Sequence, residues 1–199
     1  MIKRPARFYK LNKFVVMPEK ASSKAKNVWN ILNTGGVKMG TAAFAPESLW
    51  VRFLRAIKFK TNYGARIAVC DAEGNPIVTI TKQFSFGLFT ARLRDVDGPF
   101  GTMKEIRQGL EGRRYVIYDL QGKELGCLEG DWRSYSLQIK APNVASMGKL
   151  SRKAAEGLNP AIFDEKSGYY VVDLYINPKD ERWRRMLLCC CTAIDILVR

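Results

Sequence analysis

Short runs of apolar residues alternate with turn-forming residues along most of the chain, and this pattern predicts a β-rich fold. Residues 135–140 alternate strictly, with Tyr135, Leu137 and Ile139 on one side of the predicted strand and polar residues on the other. Three more runs of strand length are rich in β-branched or aromatic side chains, namely residues 66–70, 76–80 and 114–118. The pattern therefore predicts several strands, each with one face turned toward a core.

A turn motif that begins with Asn or Asp and ends with Gly recurs between the apolar runs. Its copies occupy residues 33–36, 71–74, 119–122 and 164–168. The Asn or Asp side chain can accept hydrogen bonds from the turn backbone, and Gly adopts the positive φ that closes a hairpin. The copies begin 38, 48 and 45 residues apart. We therefore expect a repeated hairpin that closes into a barrel or sandwich without a long exposed edge.

The C-terminal residues change from a strand pattern to a helix pattern. Asn177 and Pro178 are typical of a helix N-terminus, and between residues 186 and 198 only Thr192 and Asp195 are polar. A helix that is apolar on all sides either crosses a membrane or is enclosed by protein. A membrane span needs about 20 apolar residues, and this run has 13. We therefore expect a core helix that is surrounded by the sheet.

A series of β-hairpins that ends in one apolar helix resembles the phospholipid scramblase and LURP-one-related proteins of the tubby C-terminal-like superfamily. The order and spacing of several stretches carry the resemblance, namely residues 29–42, 65–84, 98–131, 135–172 and 187–198. It implies a mainly β fold, a closed antiparallel tubby-like barrel of about twelve strands around the central C-terminal helix. It also implies that residues 28–199 form this domain and that its partner is an acidic lipid or a phosphoinositide.

The chain departs from the scramblase pattern in three places, one of which is that it has no Pro-rich N-terminal extension. Residues 83–89 stand where relatives carry cysteines that can be palmitoylated, and they contain no Cys. The acidic stretch credited with calcium binding in relatives is reduced here to Asp164, Glu165 and Asp173. A calcium loop needs oxygen ligands at alternate positions and a closing Glu. We therefore expect no metal site and no lipid scrambling.

The positive charge of the chain is concentrated near its N-terminus. The 199 residues include 33 Lys and Arg against 19 Asp and Glu, a formal net charge of +14. Residues 1–60 hold 13 of these bases and 2 of the acids, a balance of +11, which leaves +3 for the other 139 residues. Such a distribution suits an anionic partner, which is a lipid surface, a nucleic acid or an acidic protein face. The alternative is a basic arm that only improves solubility.

Two segments of this basic region are candidate sites. Residues 1–27 are predicted to form a basic arm, whose contacts to phosphates or carboxylates of a partner would come from Arg4, Arg7, Lys10 and Lys13. A basic amphipathic helix is predicted over residues 46–58. Its interfacial apolar residues would be Trp50 and Phe53, and its lipid or phosphate contacts would come from Arg52, Arg55, Lys58 and Lys60. The alternative is a surface helix that packs its apolar side on the barrel.

The residue types that are present exclude much of enzyme chemistry. The chain contains no His, which excludes Ser-His and Cys-His nucleophile pairs, a His general base and His-ligated zinc. The five cysteines are odd in number, form no Cys-X-X-Cys pair and include the consecutive Cys189, Cys190 and Cys191. We interpret them as reduced thiols of an intracellular protein, for which a membrane-peripheral or a mitochondrial location stays open.

These observations predict a non-enzymatic protein without a catalytic residue, cofactor, metal or small-molecule substrate. The first hypothesis is a tubby-like module that binds an acidic lipid or a phosphoinositide. The alternative is a structural subunit of a large complex, either an organellar ribonucleoprotein or a membrane assembly, with RNA or protein subunits as partners and the arm as anchor. Clustered Lys and Arg side chains suit all of these partners, so the sequence does not choose among them.

Overall fold

The computed structural model describes residues 11–19, 28–45, 65–83, 88–108, 112–131, 136–152, 158, 163, 168–175 and 181–198. Most of these residues belong to strands or to one helix. The strands are β1 (Lys13–Pro18), β2 (Val28–Asn33), β3 (Lys38–Phe44), β4 (Ala65–Asp71), β5 (Pro76–Lys82), β6 (Thr90–Asp95), β7 (Gly98–Gln108), β8 (Gly112–Tyr118), β9 (Glu124–Asp131), β10 (Ser136–Ala141), β11 (Val144–Ser151) and β12 (Tyr170–Leu174). The helix, α1, spans Glu181–Val198.

The strands form one closed antiparallel barrel. Each strand pairs with its neighbours in sequence, and the barrel closes where β1 pairs with both β2 and β12. Closure removes the edge strands that an open sheet would expose to other chains. The expected mainly β fold, a closed antiparallel barrel of about twelve strands, is confirmed.

Helix α1 lies inside the barrel. Its side chains from Met186 to Ala193 are at most 2% exposed. They form one hydrophobic core with inward-facing side chains of the strands, among them Phe14, Ile67 and Leu137. The alternation of apolar and polar residues along the strands supplies this inner surface. The expectation of a core helix is confirmed, and within the described part of the chain no helix has the length and hydrophobicity needed to span a bilayer.

Two hydrogen bonds inside the barrel satisfy the polar groups of Thr192 in the helix. The Tyr170 hydroxyl donates to the Thr192 carbonyl, and the Thr192 hydroxyl donates to the Leu188 carbonyl 2.8 Å away. A buried hydroxyl without a partner would cost free energy, so these bonds keep the interior polar groups compatible with the core.

Five tight hairpins lie at one end of the barrel, which we call the turn end, and one of them joins β10 to β11 through Pro142 and Asn143. The other four join β2 to β3, β4 to β5, β6 to β7 and β8 to β9. Each begins with a side chain whose Oδ1 accepts a hydrogen bond from the backbone N–H two residues later, namely Asn33, Asp71, Asp95 and Asp119. Each also contains a glycine with positive φ, namely Gly36, Gly74, Gly98 and Gly122. The hairpins predicted at Asn33, Asp71 and Asp119 are confirmed.

The opposite end, which we call the loop end, carries the connections that run from each odd-numbered strand to the next strand. Helix α1 follows β12, so it enters the barrel at the turn end. It runs toward the loop end, because Tyr170, the first residue of β12, contacts Thr192 in the second half of the helix. The barrel therefore has two chemically different ends that are joined through its core by α1.

Part of the predicted basic arm belongs to the barrel. β1 (Lys13–Pro18) lies within residues 1–27, yet it pairs with β2 and β12 and closes the barrel. Phe14 and Val16 are fully buried in the core. The arm boundary at residue 27 is therefore corrected, because a strand of apolar residues in a lysine-rich stretch starts the barrel at Lys13.

The hairpin predicted at residues 164–168 lies, apart from Gly168, outside the described residues. β11 ends at Ser151 and β12 begins at Tyr170, so these positions fall in the connection between the two strands at the loop end. Gly168 does have the positive φ expected of a turn, 68°. The hairpin at this position therefore stays a prediction.

A second, smaller hydrophobic cluster covers one outer face of the barrel. Val15, Leu32 and Val171 point outward from β1, β2 and β12, and each is at most 7% exposed. Phe163 and Leu158, from the connection between β11 and β12, pack against this cluster. This outer face is therefore buried by the chain itself.

Candidate anion-binding face

The predicted contacts of the arm are only partly described. Arg4, Arg7 and Lys10 lie outside the described residues, and the described chain begins at Leu11, next to the start of β1 at the turn end. Lys13 is the first residue of β1, and its Nζ lies 3.3 Å from Asp173 Oδ2 on β12. Lys13 therefore belongs to the barrel wall and not to a free arm, and its predicted contact to a partner stays a prediction.

The predicted amphipathic helix over residues 46–58 lies outside the described residues. The same holds for its candidate contacts, which are Trp50, Arg52, Phe53, Arg55, Lys58 and Lys60. The chain on either side of this stretch is at the loop end, where Ala45 N donates to the Arg66 carbonyl at 2.7 Å. The two sites predicted from sequence are therefore attached to opposite ends of the barrel, and the described residues do not bring them together.

A set of basic side chains on the outer wall of β4–β7 was not singled out by the sequence. We call this set the cationic face, and its members are the exposed Arg66, Arg92, Arg94 and Lys104. On β6 the alternation is clear, because the side chains between and beside the two arginines, Ala91 and Leu93, are buried in the core. Strand geometry therefore sends the bases outward and the apolar residues inward.

The strand register places the cations of the face in neighbouring rows. Arg66 pairs with Thr81, and Thr81 pairs on its other side with Arg92. Because adjacent strands lie about 4.8 Å apart, the α-carbons of Arg66 and Arg92 are separated by about 10 Å. Arg94 is two residues further along β6, on the same side and opposite Thr79. Threonine hydroxyls thus lie between the arginines.

The acidic residues of these four strands face the other way. Asp71 and Asp95 are 3% and 8% exposed, and both occupy inward-facing positions at the turn end. Glu105 shares its side of β7 with the buried Met103, and its Oε2 accepts a hydrogen bond from Phe89 N at 3.1 Å. In the described strands β4–β7, the outward-facing positions therefore carry bases and neutral residues without an acid.

Arg92 is positioned by a neutral partner. With its amide oxygen facing β6, Gln83 accepts hydrogen bonds from Arg92 Nε at 2.9 Å and from Arg92 Nη2 at 3.0 Å. The amide fixes one edge of the guanidinium and leaves its full positive charge uncompensated. Arg92 is therefore preorganised to bind an anion with its remaining N–H groups.

The outer wall of β8–β10 shows how this protein arranges bases that need no external partner. Arg114 Nη2 lies 2.6 Å from Glu124 Oε1, and Arg114 Nε lies 3.6 Å from Glu129 Oε2. Lys140 Nζ forms a further ion pair with Glu129. The hydrogen bond from Lys140 is the main cause that lowers the pKa of the Glu129 carboxyl below its ordinary value. We call this second wall the neutralised face.

A cleft at the turn end lies between the β8–β9 hairpin and the start of α1 and has a volume of about 240 Å³. Its lining mixes apolar and polar side chains, namely Phe100, Asp119, Leu120, Gln121, Leu125, Trp183 and Met186. Among these lining residues, no two side chains form an acid–base pair or a nucleophile with an adjacent base.

Neither the cysteines nor the carboxylates of the described residues form a reactive or metal-binding centre. Cys189, Cys190 and Cys191 are fully buried in the core, and burial raises the pKa of each thiol. Thiols of this kind are poor nucleophiles, because the thiolate is the reactive form. Across the described part of the chain, no three Cys, Asp or Glu residues are grouped as metal ligands.

Compared with known proteins, the chain matches no protein-family model, no curated protein and no solved structure. The candidate site is therefore defined by geometry and charge. A signal for it does exist in the sequence, since residues 91–94 alternate apolar and basic side chains within a strand pattern. The register across four strands is what converts these scattered bases into one face.

Proposed function

We propose that this protein is a non-enzymatic module that binds an acidic lipid surface, phosphoinositide headgroups included, through its cationic face. The observation that carries the proposal is the set of outward bases on β4–β7 that no outward acid of the described strands compensates. Guanidinium groups bind phosphate through paired hydrogen bonds, and threonine hydroxyls such as those of Thr79 and Thr81 can donate further ones. The face thus offers several adjacent phosphate contacts.

The strength expected of this face suits reversible, peripheral binding. A basic residue near an acidic membrane contributes about 1 kcal/mol, so the four bases give about 4 kcal/mol, which corresponds to a dissociation constant of about 1 mM. Tighter binding needs further contacts. The proposal therefore includes the predicted contacts of the connection between β3 and β4, which leaves and re-enters the barrel at the loop end: Trp50, Arg52, Phe53, Arg55, Lys58 and Lys60.

Family and location form part of the same proposal. A closed barrel around an axial helix is the architecture that the resemblance to the scramblase and LURP-one-related proteins implies, and acidic lipid is the partner expected of that resemblance. The five cysteines are all free thiols, which supports a reducing, intracellular compartment. We place the protein there as a peripheral component of a membrane surface.

Vesicle binding by charge-neutralised variants tests the proposal. The variant Arg66→Gln/Arg94→Gln removes two cations of the cationic face while keeping side chains of similar length. Its affinity for vesicles of phosphatidylcholine and phosphatidylserine should fall by about 2 kcal/mol, roughly 30-fold. Cosedimentation at constant ionic strength measures this change.

The matched control removes two exposed cations elsewhere on the barrel. Lys123 lies in the β8–β9 turn and Lys149 on β11, so Lys123→Gln/Lys149→Gln changes the net charge equally and leaves the cationic face intact. We expect the control to bind almost as well as the original protein. Equal losses in both variants, or equal binding to vesicles of phosphatidylcholine alone, would contradict the proposal.

A second candidate function is that of a subunit anchored in a large complex by Arg4, Arg7 and Lys10. It is favoured by the fixed start of the barrel, where Arg184 Nη2 donates to the Leu11 carbonyl at 3.1 Å and to Asn12 Oδ1 at 2.7 Å. Leu11, to which the arm is attached, therefore lies at the turn end, opposite the loop-end connections. Purification of the native protein tests this function, which predicts fixed protein subunits or RNA that are lost when the three bases are changed to Glu.

A further inference from the structure

Two exposed apolar side chains lie beside the cationic face at the loop end, and we call them the apolar tip. Leu88 is 41% exposed and Ile106 is 38% exposed. The described strand pairing leads toward both of them. Thr90 pairs with Lys104, and the hydrogen bond from Glu105 N to the Phe89 carbonyl, 2.8 Å long, extends this register by one residue. Leu88 and Ile106 are the next residues on the two segments, so they lie close together at the end of the paired strands.

The apolar tip continues the cationic face along both strands. Side chains two residues apart share a side of a strand, so Ile106 follows Lys104 on the outer side of β7. Leu88 lies two residues before Thr90, where β6 begins, and it is exposed whereas the following Phe89 is buried. The outer wall therefore changes from cationic to apolar as it approaches the loop end.

The other large exposed apolar residues of the described chain have different surroundings. They lie at the turn end, on separate connections or strand ends, and are Val37, Val96, Leu120 and Tyr175. Asp97 follows Val96 and Asp119 precedes Leu120. Acidic neighbours repel an acidic membrane, whereas single exposed apolar residues are common on protein surfaces. Only the loop end combines adjacent apolar side chains with bases among the described residues.

We infer that Leu88 and Ile106 insert into the apolar boundary of an acidic bilayer while the cationic face contacts the headgroups. This inference rests on the proposed function and adds the orientation of the protein, which would sit on the membrane with its loop end down. Amphipathic surfaces bind bilayers by this combination of buried apolar area and attraction to anionic lipid. The two contributions respond differently to salt, because screening weakens only the electrostatic one.

Fluorescence quenching by brominated lipids tests the orientation directly. The variants Leu88→Trp and Val96→Trp each place one additional tryptophan at an exposed apolar position, the first at the loop end and the second at the turn end. Both are measured in the full chain on vesicles of phosphatidylcholine and phosphatidylserine with brominated acyl chains. We expect quenching beyond that of the unsubstituted protein for Leu88→Trp and none for Val96→Trp. Equal or greater quenching of Val96→Trp would overturn the inference.

The salt dependence of binding tests insertion by a second route. Leu88→Gln/Ile106→Thr removes the apolar tip and retains every charge, and Val96→Gln/Leu120→Gln is its matched control. At low salt we expect the tip variant to bind acidic vesicles roughly ten-fold more weakly than the control. At high salt the unsubstituted protein and the control should keep residual binding that the tip variant lacks. Thermal melts of all variants in the absence of vesicles exclude unfolding as the cause.

Failure of this inference is distinguishable from failure of the proposed function. If Arg66→Gln/Arg94→Gln weakens binding to acidic vesicles while the tip variant binds like its control and Leu88→Trp is not quenched, the proposed function stands and insertion is rejected. If the unsubstituted protein does not bind acidic vesicles, both are rejected.

Discussion

Glu129 is the residue on which the charge balance of the neutralised face depends. Lys140 and Arg114 both stabilise its carboxylate, and their interactions lower the pKa of Glu129 in the folded protein. A carboxyl group whose pKa is lower in the folded than in the unfolded state stabilises the fold above its unfolded pKa. That stabilisation is lost as the pH falls through the folded pKa.

We predict that Glu129→Gln weakens the fold at neutral pH and has less effect in acid. The loss at pH 7 should be about 1 kcal/mol or less, because the ion pairs of Glu129 are partly solvated. Below the folded pKa the original carboxyl is protonated too, so the two proteins should converge. Melting curves from neutral pH to about pH 3 measure the difference. Glu73→Gln, in the exposed β4–β5 turn, is the control, and a pH-independent difference for Glu129→Gln would contradict the prediction.

Gly126 makes room for the first turn of the helix. A β-carbon at this position would lie 2.6 Å from the Lys140 carbonyl oxygen and 3.2 Å from Trp183 Cζ2. Both neighbours are held, the first by strand pairing and the second against the core. We predict that Gly126→Ala lowers the free energy of unfolding by about 1–3 kcal/mol. Chemical denaturation measures this, with Gly35→Ala as control because its nearest neighbour, Asn33 Oδ1, is 3.4 Å away. An almost unchanged free energy of unfolding for Gly126→Ala would show that the strands shift readily to make room for the methyl group.

Strand β1 is the element that turns the sheet into a barrel. Its backbone pairs with β2 on one side and with β12 on the other. We predict that removal of residues 1–18 abolishes cooperative unfolding, because two ladders and the buried Phe14 and Val16 are lost together. Removal of residues 1–10 should retain a cooperative transition, since it leaves Leu11, Asn12 and β1 in place. Circular dichroism melts compare the two truncated chains. A cooperative melt of the chain that lacks residues 1–18 would refute this role of β1.

A hairpin could be predicted from the sequence where residues within the turn itself mark its beginning and its end. Asn33, Asp71 and Asp119 combine a side-chain acceptor with a later glycine, and these local features determine the turn. The turn at Asp95 carries the same signals, an Asp acceptor and the later Gly98, although the sequence analysis predicts no hairpin there. With it, the 48-residue interval between Asp71 and Asp119 consists of two 24-residue hairpins. Local turn chemistry thus predicted the architecture better than the repeat length did.

The cationic face was not predictable in the same way, because no local pattern contains it. Its four bases come from three strands, and they become neighbours only through the registers between β4 and β7. A count of charges along the chain points to residues 1–60 as the basic region. Such a count does not show which charged side chains of the later strands face inward. There the acids Asp71 and Asp95 face inward, so a segment that is almost neutral in sum has a cationic outer surface.

At the scale of the whole molecule, the barrel presents outer faces with different chemistry. The wall of β12, β1 and β2 is covered by apolar side chains of the chain itself. The neutralised face of β8–β10 pairs its bases with acids. The cationic face of β4–β7 has neither arrangement within the described strands. The cationic face is therefore the wall whose charge suits the acidic surface that we propose as its partner.

Closure of the barrel also predicts how its thiols behave. Cys127 and Cys189–Cys191 are at most 2% exposed, whereas Cys70 lies at a half-buried position on the outer side of β4. We therefore predict that one of the five thiols reacts with an alkylating reagent in the folded protein and that all five react after denaturation. Burial and the adjacent Asp71 raise the pKa of Cys70, so even this reaction should be slower than that of a free thiol and should accelerate with pH. Mass spectrometry of the labelled protein counts the thiols, and Cys70→Ser should remove the native reaction.

Because Cys189–Cys191 lie on the axial helix, their labelling requires the barrel to open, and the rate of labelling should follow global unfolding. Fast labelling of these three thiols in a protein that keeps its native circular dichroism would mean that the helix leaves the barrel without unfolding it.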